Sequence, residues 1–476
     1  MNMIPVTYDS LTILNFPELH IESFMITNKV NEHAKMKFTG FVEDDGSYIL
    51  RNTMVGSPIK AVYSINDGHT RTLFAGVITN VRVFNKESNQ SVEITALSNT
   101  STLDMRKESR SYQNIQTTYQ TLMDEVAARS GAVMTYGIKK SEFTSPLGEI
   151  SIQYKETDWE YLKRLASHKN QGLFGDMTMD SPVFSVGADA ETCDQLEMQT
   201  YEYHKDIRNY EMDHANYMED VMEEDYLVYQ VETYQILKLG TVVNFEGKKL
   251  YIREARYDMK NATIIATYLL CTENGLKQRR IKNEKIQGLS INGTAQGVCR
   301  DKVKVQLEID KEKNAQYLFP YSTMSASPDG SGWYCMPKDG DLLRVYFPDD
   351  EEANCFAISS VSSYTPEEGN TSDRMSDPNV RYLRTPDNKE VKLSPEGITI
   401  SADDGKALIK MDNAGNITIS GAAGINITAT NDVNISAAHN VSLYASDTIK
   451  ISGQGGAIEM DSSGNTKLTG QYVLEN

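Results

Sequence analysis

The most regular hydrophobic pattern of the chain lies in residues 408–470. Two apolar residues flank one intervening position, and this pair recurs every eight residues, followed two positions later by a small or polar residue. A one-residue insertion near Gly453 resets the register. The apolar positions are Ile409, Met411, Ile417, Ile419, Ile425, Ile427, Val433, Ile435, Val441, Leu443, Ile449, Ile451, Ile458, Met460 and Leu468.

Alternation with a period of two predicts β-strands, and a fixed longer repeat on top of it predicts a fibre or solenoid. Eight residues provide only a strand of about five residues and a tight turn, which is too little to enclose a core within one chain. We therefore predict a trimeric, intertwined triple-stranded β-helix with these apolar residues in its core. The alternative is a single-chain parallel β-helix, whose coils need about 20 residues or more.

Residues 1–270 combine short alternating strands with two helical patterns. The strands at both ends of this region predict two small β-barrels. A helical period predicts a helix near residues 114–130, stopped by Gly131. Thr157 and Glu160 have the spacing of a capping box, which predicts a second helix near residues 157–169. We expect Trp159 to pack this helix on a barrel.

The remaining segments differ in composition. The run 201–229 is acidic and rich in Tyr and Met; it could be a docking surface, although a solvated insertion is the favoured interpretation. Basic residues 271–285 predict a linker, and the strands and turns of residues 286–362 predict an OB-fold barrel. Residues 363–385 form a second linker before the needle at 386–470 and a blunt tip at 471–476. The acidic run 349–352 predicts a solvated loop.

Composition narrows the possible functions. A net charge of −19 argues against nucleic-acid binding. No apolar run approaches the roughly 18 residues of a membrane span, and the N-terminus lacks a signal peptide, so we expect synthesis in the cytoplasm. The five cysteines are scattered without CxxC spacing, which predicts reduced, mostly buried thiols.

The sequence shows no set of residues that requires an enzyme. GxSxG, HExxH, Walker and GxGxxG motifs are absent, so we predict no catalytic residue and no cofactor. The repeat contains one histidine, His439, and we predict no metal. Two alternatives remain, a trimeric tailspike that cleaves surface polysaccharide and a passive fibre or adhesin. A sugar cleft needs carboxylate pairs and stacking aromatics, whereas Tyr444 is the one aromatic of the repeat before its tip.

Three stretches resemble the spike proteins of contractile injection systems, a family that includes VgrG of type VI secretion and the hub and spike of contractile phage tails. Residues 153–166 (QYKETDWEYLKRLA) are similar to its hub signature, residues 303–347 to its OB domain, and the octads to its needle. The Val-Gly dipeptides of the VgrG needle are replaced by Ile/Val-x-Ile/Leu pairs. This departure favours a phage-like or extracellular particle over type VI secretion.

The resemblance implies an architecture and a set of partners. Three chains, each giving two barrels, would form a ring that adapts a sixfold tail tube to a threefold needle. The implied partners are the tail-tube ring, baseplate proteins and a PAAR-type tip protein that contacts Tyr472, Val473 and Leu474. The protein would sit at the baseplate tip of a virion or phage-tail-like particle. Sheath contraction would drive the needle through a target envelope, without enzymatic activity.

Overall fold

A computed structural model describes residues 5–16, 18–42, 47–64, 68–86, 89–189, 192–193, 195–359 and 373–472. The chain divides into two compact units, Met1–Ser363 and Tyr364–Asn476. Two residues of the predicted tip contact, Val473 and Leu474, lie outside the described residues.

The first unit is mainly β. Its strands up to residue 271 are β1 (Leu11–Ile13), β2 (His20–Lys29), β3 (Lys35–Val42), β4 (Pro58–Ser64), β5 (Thr70–Lys86), β6 (Asn89–Ser98), β7 (Lys107–Tyr112), β8 (Val133–Tyr136), β9 (Ser151–Thr157), β10 (Leu173–Gly175), β11 (Val183–Val186), β12 (Thr192–Cys193), β13 (Thr200–Lys205), β14 (Leu227–Thr233), β15 (Val242–Phe245), β16 (Lys248–Lys260) and β17 (Thr263–Cys271). Its α-helices are α1 (Ser47–Asn52), α2 (Tyr119–Arg129), α3 (Asp158–Ser167) and α4 (Ile207–Asn216).

The strands that the sequence divided between two barrels belong to one 12-stranded sheet. The early strands run in the order β1-β4-β5-β6-β3-β2, and the late strands continue as β16-β17-β14-β13, with β15 and β12 branching from β16. The halves join where β2 pairs antiparallel with β16, Lys29 opposite Glu254. An unpaired strand edge exposes backbone polar groups, and this pairing satisfies them for β2. Both halves share one hydrophobic core, to which Phe38 and Tyr257 contribute fully buried rings.

Helices α2 and α3 form a second core beside the sheet. Thr157 caps α3 as predicted: its hydroxyl accepts from the Glu160 amide at 3.1 Å, and the Glu160 carboxylate accepts from the Thr157 amide at 3.0 Å. Trp159 is buried and its ring meets Phe184 edge to face. The predicted helix near 114–130 begins later, at Tyr119, because residues 115–118 instead bond to the segment at 145–148.

Residues 290–359 contain the strands β18 (Ser290–Cys299), β19 (Lys302–Leu307), β20 (Leu318–Pro320), β21 (Leu342–Tyr346) and β22 (Phe356–Ser359). They form a five-stranded sheet in the order β20-β19-β18-β21-β22. A parallel bridge between Tyr321 and Ala357 brings its two outer strands together, which is the closure expected of an OB barrel. Its core includes Ile150 and Ile152 from the region before β9 and from β9 itself, so hub and barrel share apolar side chains.

The described residues of the second unit, 373–472, form two antiparallel sheets. The first begins before the predicted start of the needle, at residue 381, and comprises β23 (Arg381–Arg384), β24 (Lys389–Ser394), β25 (Gly397–Ala402), β26 (Ala407–Asp412) and β27 (Ile417–Gly421). The second comprises β28 (Ile449–Gly453), β29 (Gly456–Met460) and β30 (Thr466–Gly470). Residues 422–448, predicted as strands of the octad repeat, contain no strand in the single chain. A strand needs a neighbour for its backbone groups, and these octads have none within their own chain.

Candidate functional site

A buried ion cluster joins the hub to the OB barrel. Arg164 on α3 places its guanidinium 2.8 Å from the Glu156 carboxylate and 3.1 Å from that of Glu352, which follows β21 in the OB barrel. Its Nη2 also donates to the Ile152 carbonyl at 2.7 Å. All three charged side chains are buried. The arrangement fixes the angle between two parts of the chain because a guanidinium presents its donors in a rigid plane.

The partners of Arg164 hold its charge in place. Burial alone would lower the pKa of Arg164, but the carboxylates of Glu352 and Glu156 outweigh it and raise that pKa. Glu352 Oε1 also accepts from the Asn283 side chain at 2.8 Å and from the Ile152 amide at 2.9 Å. Glu352 was predicted to lie in a solvated loop, which is wrong for this residue: its Oε1 accepts from three donors in the junction. Such satisfaction is what a buried charge requires.

The basic segment predicted as a linker, residues 271–285, is tied down along its length. Each of its five cations pairs with an acid of a surrounding element. Arg280 reaches Glu351 at 3.1 Å, Lys282 reaches Asp350 at 3.1 Å, and Lys285 reaches Glu160 at 2.8 Å. The other pairs are Lys277 with Asp220 and Arg279 with Asp213. We call residues 277–285 the basic strap.

The acidic segment 201–229 is partly folded into the hub. Strand β13 is exposed along its whole length at the edge of the large sheet. Asp213 on α4 is buried, where it pairs with Arg279 of the strap and accepts from the Tyr226 hydroxyl at 2.6 Å. Asp225 is buried as well and accepts from Thr272 at 2.6 Å. The favoured interpretation of a solvated insertion therefore holds for β13 and fails for these two carboxylates, which anchor the strap and the end of β17.

The cysteines divide into two groups. Cys271 and Cys355 are buried, and burial raises the pKa of each thiol to about 12. Cys193 is partly exposed, and Cys299 and Cys335 are exposed. All five are free thiols, as predicted, but the expectation that most are buried is wrong, because Cys299 ends β18 and Cys335 lies in the loop between β20 and β21, both outside the core.

The needle strands present one apolar face. Cross-strand register places Ile400 opposite Ile409 and Ile409 opposite Ile419, with Met411 opposite Ile417 in the adjacent row. The second sheet repeats the arrangement, with Ile451 opposite Ile458 and Ile458 opposite Leu468; Ile449 pairs with Met460. The predicted core residues outside these strands are Ile425, Ile427, Val433, Ile435, Val441 and Leu443, which lie exposed between the sheets.

No described residue from 373 to 472 is buried. Ile419 leaves 56 % of its surface exposed and Tyr472, the described part of the predicted tip contact, 87 %. Within the described ranges, no group of three or more His, Cys, Asp or Glu is placed to hold a metal ion. Nor does that part of the chain contain a helix long and apolar enough to cross a membrane.

Sequence reasoning identified the apolar face and missed the junction and the strap. Glu352 was noted only within the acidic run 349–352 and Arg164 only within the stretch similar to the hub signature, because nothing in their local sequence, or in that of Asn283, distinguishes them from surface polar residues. A usable signal was present in the strap: a basic run at 277–285 and an acidic run at 349–352 have complementary charge.

Comparison with known proteins shows which family and which solved structures this chain resembles. Residues 38–211 match the family described as phage tail baseplate hub (GPD). No curated protein matches the sequence. An Escherichia coli protein, c3393, matches in structure with a TM-score of 0.53 at 12 % identity, over 73 % of this chain and 98 % of that one. It is described as a component of the type VI secretion system with structural similarity to the T4 tail proteins gp27 and gp5.

The half-lidded PdpA–VgrG complex of Francisella contains a chain that matches with a TM-score of 0.54 at 9 % identity, over 86 % of this chain and 87 % of that one. The lidded form of the same complex matches with a TM-score of 0.53 at 10 % identity, over 84 % and 76 %. At these identities the similarity is one of fold. The chain therefore contains a region that matches the phage tail baseplate hub family, and its fold resembles that of VgrG-type hub-and-spike proteins.

Proposed function

We propose that three copies of this chain form the central hub and spike of a contractile injection machine. The hub would adapt a sixfold tail tube to a threefold needle, and the needle would puncture a target envelope when the sheath contracts. The hub-family match and the shared fold support the general role. The trimer and the named partners are our proposal for this chain.

The observation that carries the trimer is the unburied apolar face of the needle. Removal of one aliphatic side chain from water contributes about 1.5–3 kcal/mol. Ile400, Ile409 and Ile419 align across three strands and leave 45 %, 40 % and 56 % of their surface exposed in the single chain. Soluble chains rarely leave so continuous an apolar face in water. Three chains around one axis cover all three faces, and the octads at 422–448 gain neighbours for their backbone groups.

The junction around Arg164 suits a part that transmits force. A spike must pass axial load from the tube ring to the needle without bending at its domain boundaries. Shared apolar packing by Ile152 and the ion cluster of Arg164, Glu156 and Glu352 couple hub and OB barrel as one body. The action is mechanical, so any toxic chemistry would be carried by other proteins.

The hub region and the needle suggest different partners. We assign the tail-tube ring and the baseplate to the hub region, and a tip protein of the PAAR type to the needle end around Tyr472, which is exposed. The particle is of the phage-tail type. The replacement of Val-Gly by Ile/Val-x-Ile/Leu pairs supports a virion or an extracellular particle.

The test is the mass of the full-length chain in solution, measured by light scattering and by sedimentation before and after mild SDS or heat. We expect three times the mass of one chain and resistance to both treatments. Electron microscopy of the same sample should show a ring with one narrow projection. A folded monomer at micromolar concentration would contradict the proposal.

A further inference from the structure

The OB barrel carries a projecting arm, residues 322–337, between β20 and β21. The arm is held as a hairpin by its own hydrogen bonds: the Trp333 amide donates to the Ser325 carbonyl at 2.8 Å, and the Thr323 hydroxyl donates to the Trp333 carbonyl at 2.6 Å. Gly332 has a φ of 134°, and a Cβ there would lie 2.3 Å from the Ser325 carbonyl oxygen. The Tyr334 hydroxyl donates to the Arg300 carbonyl at 3.0 Å, so the arm has a defined shape.

This ordered arm exposes large apolar groups. Met324 leaves 86 % of its surface in water, Tyr334 75 % and Trp333 51 %. Asp329 is the one charged residue among the sixteen positions of the arm, in a chain in which 24 % of residues are charged. Aromatic residues and Met, with few charges, are the composition of the centre of a protein interface. The arm therefore has the chemistry of a contact surface and the backbone order to present it.

We propose that the arm docks on the OB barrel of a second copy of the chain, so that three arms fasten the three barrels to one another. This inference rests on the proposed trimer and adds a second fastening point to it. Residues 360–372 alone separate β22 from the first described residue of the needle unit. Chains joined through their needles therefore hold their OB barrels at high local concentration.

Charge also favours this occupant. With a net charge of −19 per chain, contacts between identical copies are repulsive over most of the surface. A surface with a single charge avoids that repulsion, whereas a surface built for a basic partner would carry acids. Met324 and Trp333 can bury against a neighbour without leaving an unpaired charge.

The chain contains two tryptophans, which makes the contact measurable in the intact protein. Trp159 is buried and Trp333 half exposed, so collisional quenching by acrylamide, which is uncharged, reports on Trp333 once the signal of a Trp333→Phe variant is subtracted. In the assembled full chain we expect quenching of Trp333 to be reduced roughly fivefold or more relative to free N-acetyltryptophanamide, as for a desolvated interface residue. Met324→Asp should restore quenching to about half of the free value while Lys313→Asp, an exposed site elsewhere on the barrel, should not.

The possible results distinguish the arm contact from the trimer. A trimer in which Trp333 is quenched at about half the free value overturns the arm contact and leaves the trimer standing. A monomeric chain overturns both. If phosphatidylglycerol vesicles alone protect Trp333 and shift its emission to the blue, the arm binds lipid and the contact between copies is wrong. Protection in the trimer that Met324→Asp removes, with the needle trimer intact by mass, is the supporting result.

Discussion

Arg164 and Glu352 lie 188 positions apart in the chain, and their charged groups meet at 3.1 Å in a buried junction. One residue belongs to a hub helix and the other to a short turn of the OB barrel. The contact makes the orientation of the barrel depend on a charge balance that includes Glu156 on the hub side.

We predict that Arg164→Met destabilises the first unit by about 3–5 kcal/mol, because it leaves Glu156 and Glu352 buried without a counter-charge. Urea unfolding followed by circular dichroism measures the loss. The matched control is Arg280→Met, whose side chain is half exposed in its pairs with Glu149 and Glu351; it should cost about 0–1 kcal/mol. Equal costs for the two variants would show that the buried cluster contributes no more than a surface pair.

We predict acid sensitivity from His168. Burial, with Arg164 and Arg280 nearby, lowers the pKa of its imidazole from 6.5 to about 3. The unfolded chain therefore takes up the proton first, so this contribution to stability is complete above pH 6.5 and declines as pH falls towards 3, by up to about 1.4 kcal/mol per pH unit. In thermal unfolding, His168→Gln should lose less stability between pH 6.5 and pH 4 than the parent chain does. His439→Gln, in the exposed repeat, should lose as much as the parent. Parallel profiles for parent and His168→Gln would exclude this role.

The apolar face of the needle predicts a paired result for neighbouring residues. Ile419→Asp places an unpaired charge among the aligned side chains, where its burial costs several kcal/mol per copy, so the trimer should dissociate or lose its resistance to heat. Thr418→Asp points to the opposite face, across from Lys410, and should remain trimeric. Light scattering of the full chain compares them. Identical masses and heat resistance for both variants would show that the apolar face does not contribute to trimer formation.

The basic strap predicts a change in protease sensitivity. Asp213→Asn removes the buried carboxylate that pairs with Arg279 and should weaken strap docking by roughly 1–2 kcal/mol, which is a five- to thirtyfold larger open population. Trypsin cuts after Lys and Arg, so cleavage within residues 277–285 should accelerate by a similar factor on a gel. Asp220→Asn is the control: its carboxylate is mostly exposed in its pair with Lys277, so the rate should change little. An unchanged rate for Asp213→Asn would mean that the strap is held by its other pairs.

Features set by neighbouring residues could be predicted from the sequence. The capping box of Thr157 and Glu160 depends on three positions of spacing, and the structure contains it. The alternating apolar pairs that begin at Ile409 and Ile417 predict strands, and both pairs lie in strands. These signals are local, so one sequence is enough to recognise them.

Long-range choices could not be predicted in the same way. Glu352 stands beside three other acids, and only the fold decides which of the four turns inward to Arg164. The same holds for the late start of α2 and for the single sheet, because both depend on which distant segment offers hydrogen bonds to residues 115–118 or to β2. The octads at 422–448 illustrate a third case, in which the period is clear but a lone chain supplies no neighbour.

The pairing of β2 with β16 also implies a delay during synthesis, because one strand is made long before the other. Lys29 emerges from the ribosome roughly 220 residues before Glu254, its partner across the sheet. At about 5–20 residues per second, the outer edge of β2 waits on the order of 10–45 s for its neighbour. During that interval the free edge of β2 can form hydrogen bonds with other nascent chains on the same messenger RNA. The yield of correctly folded protein therefore depends on how well that edge is shielded until translation passes residue 260.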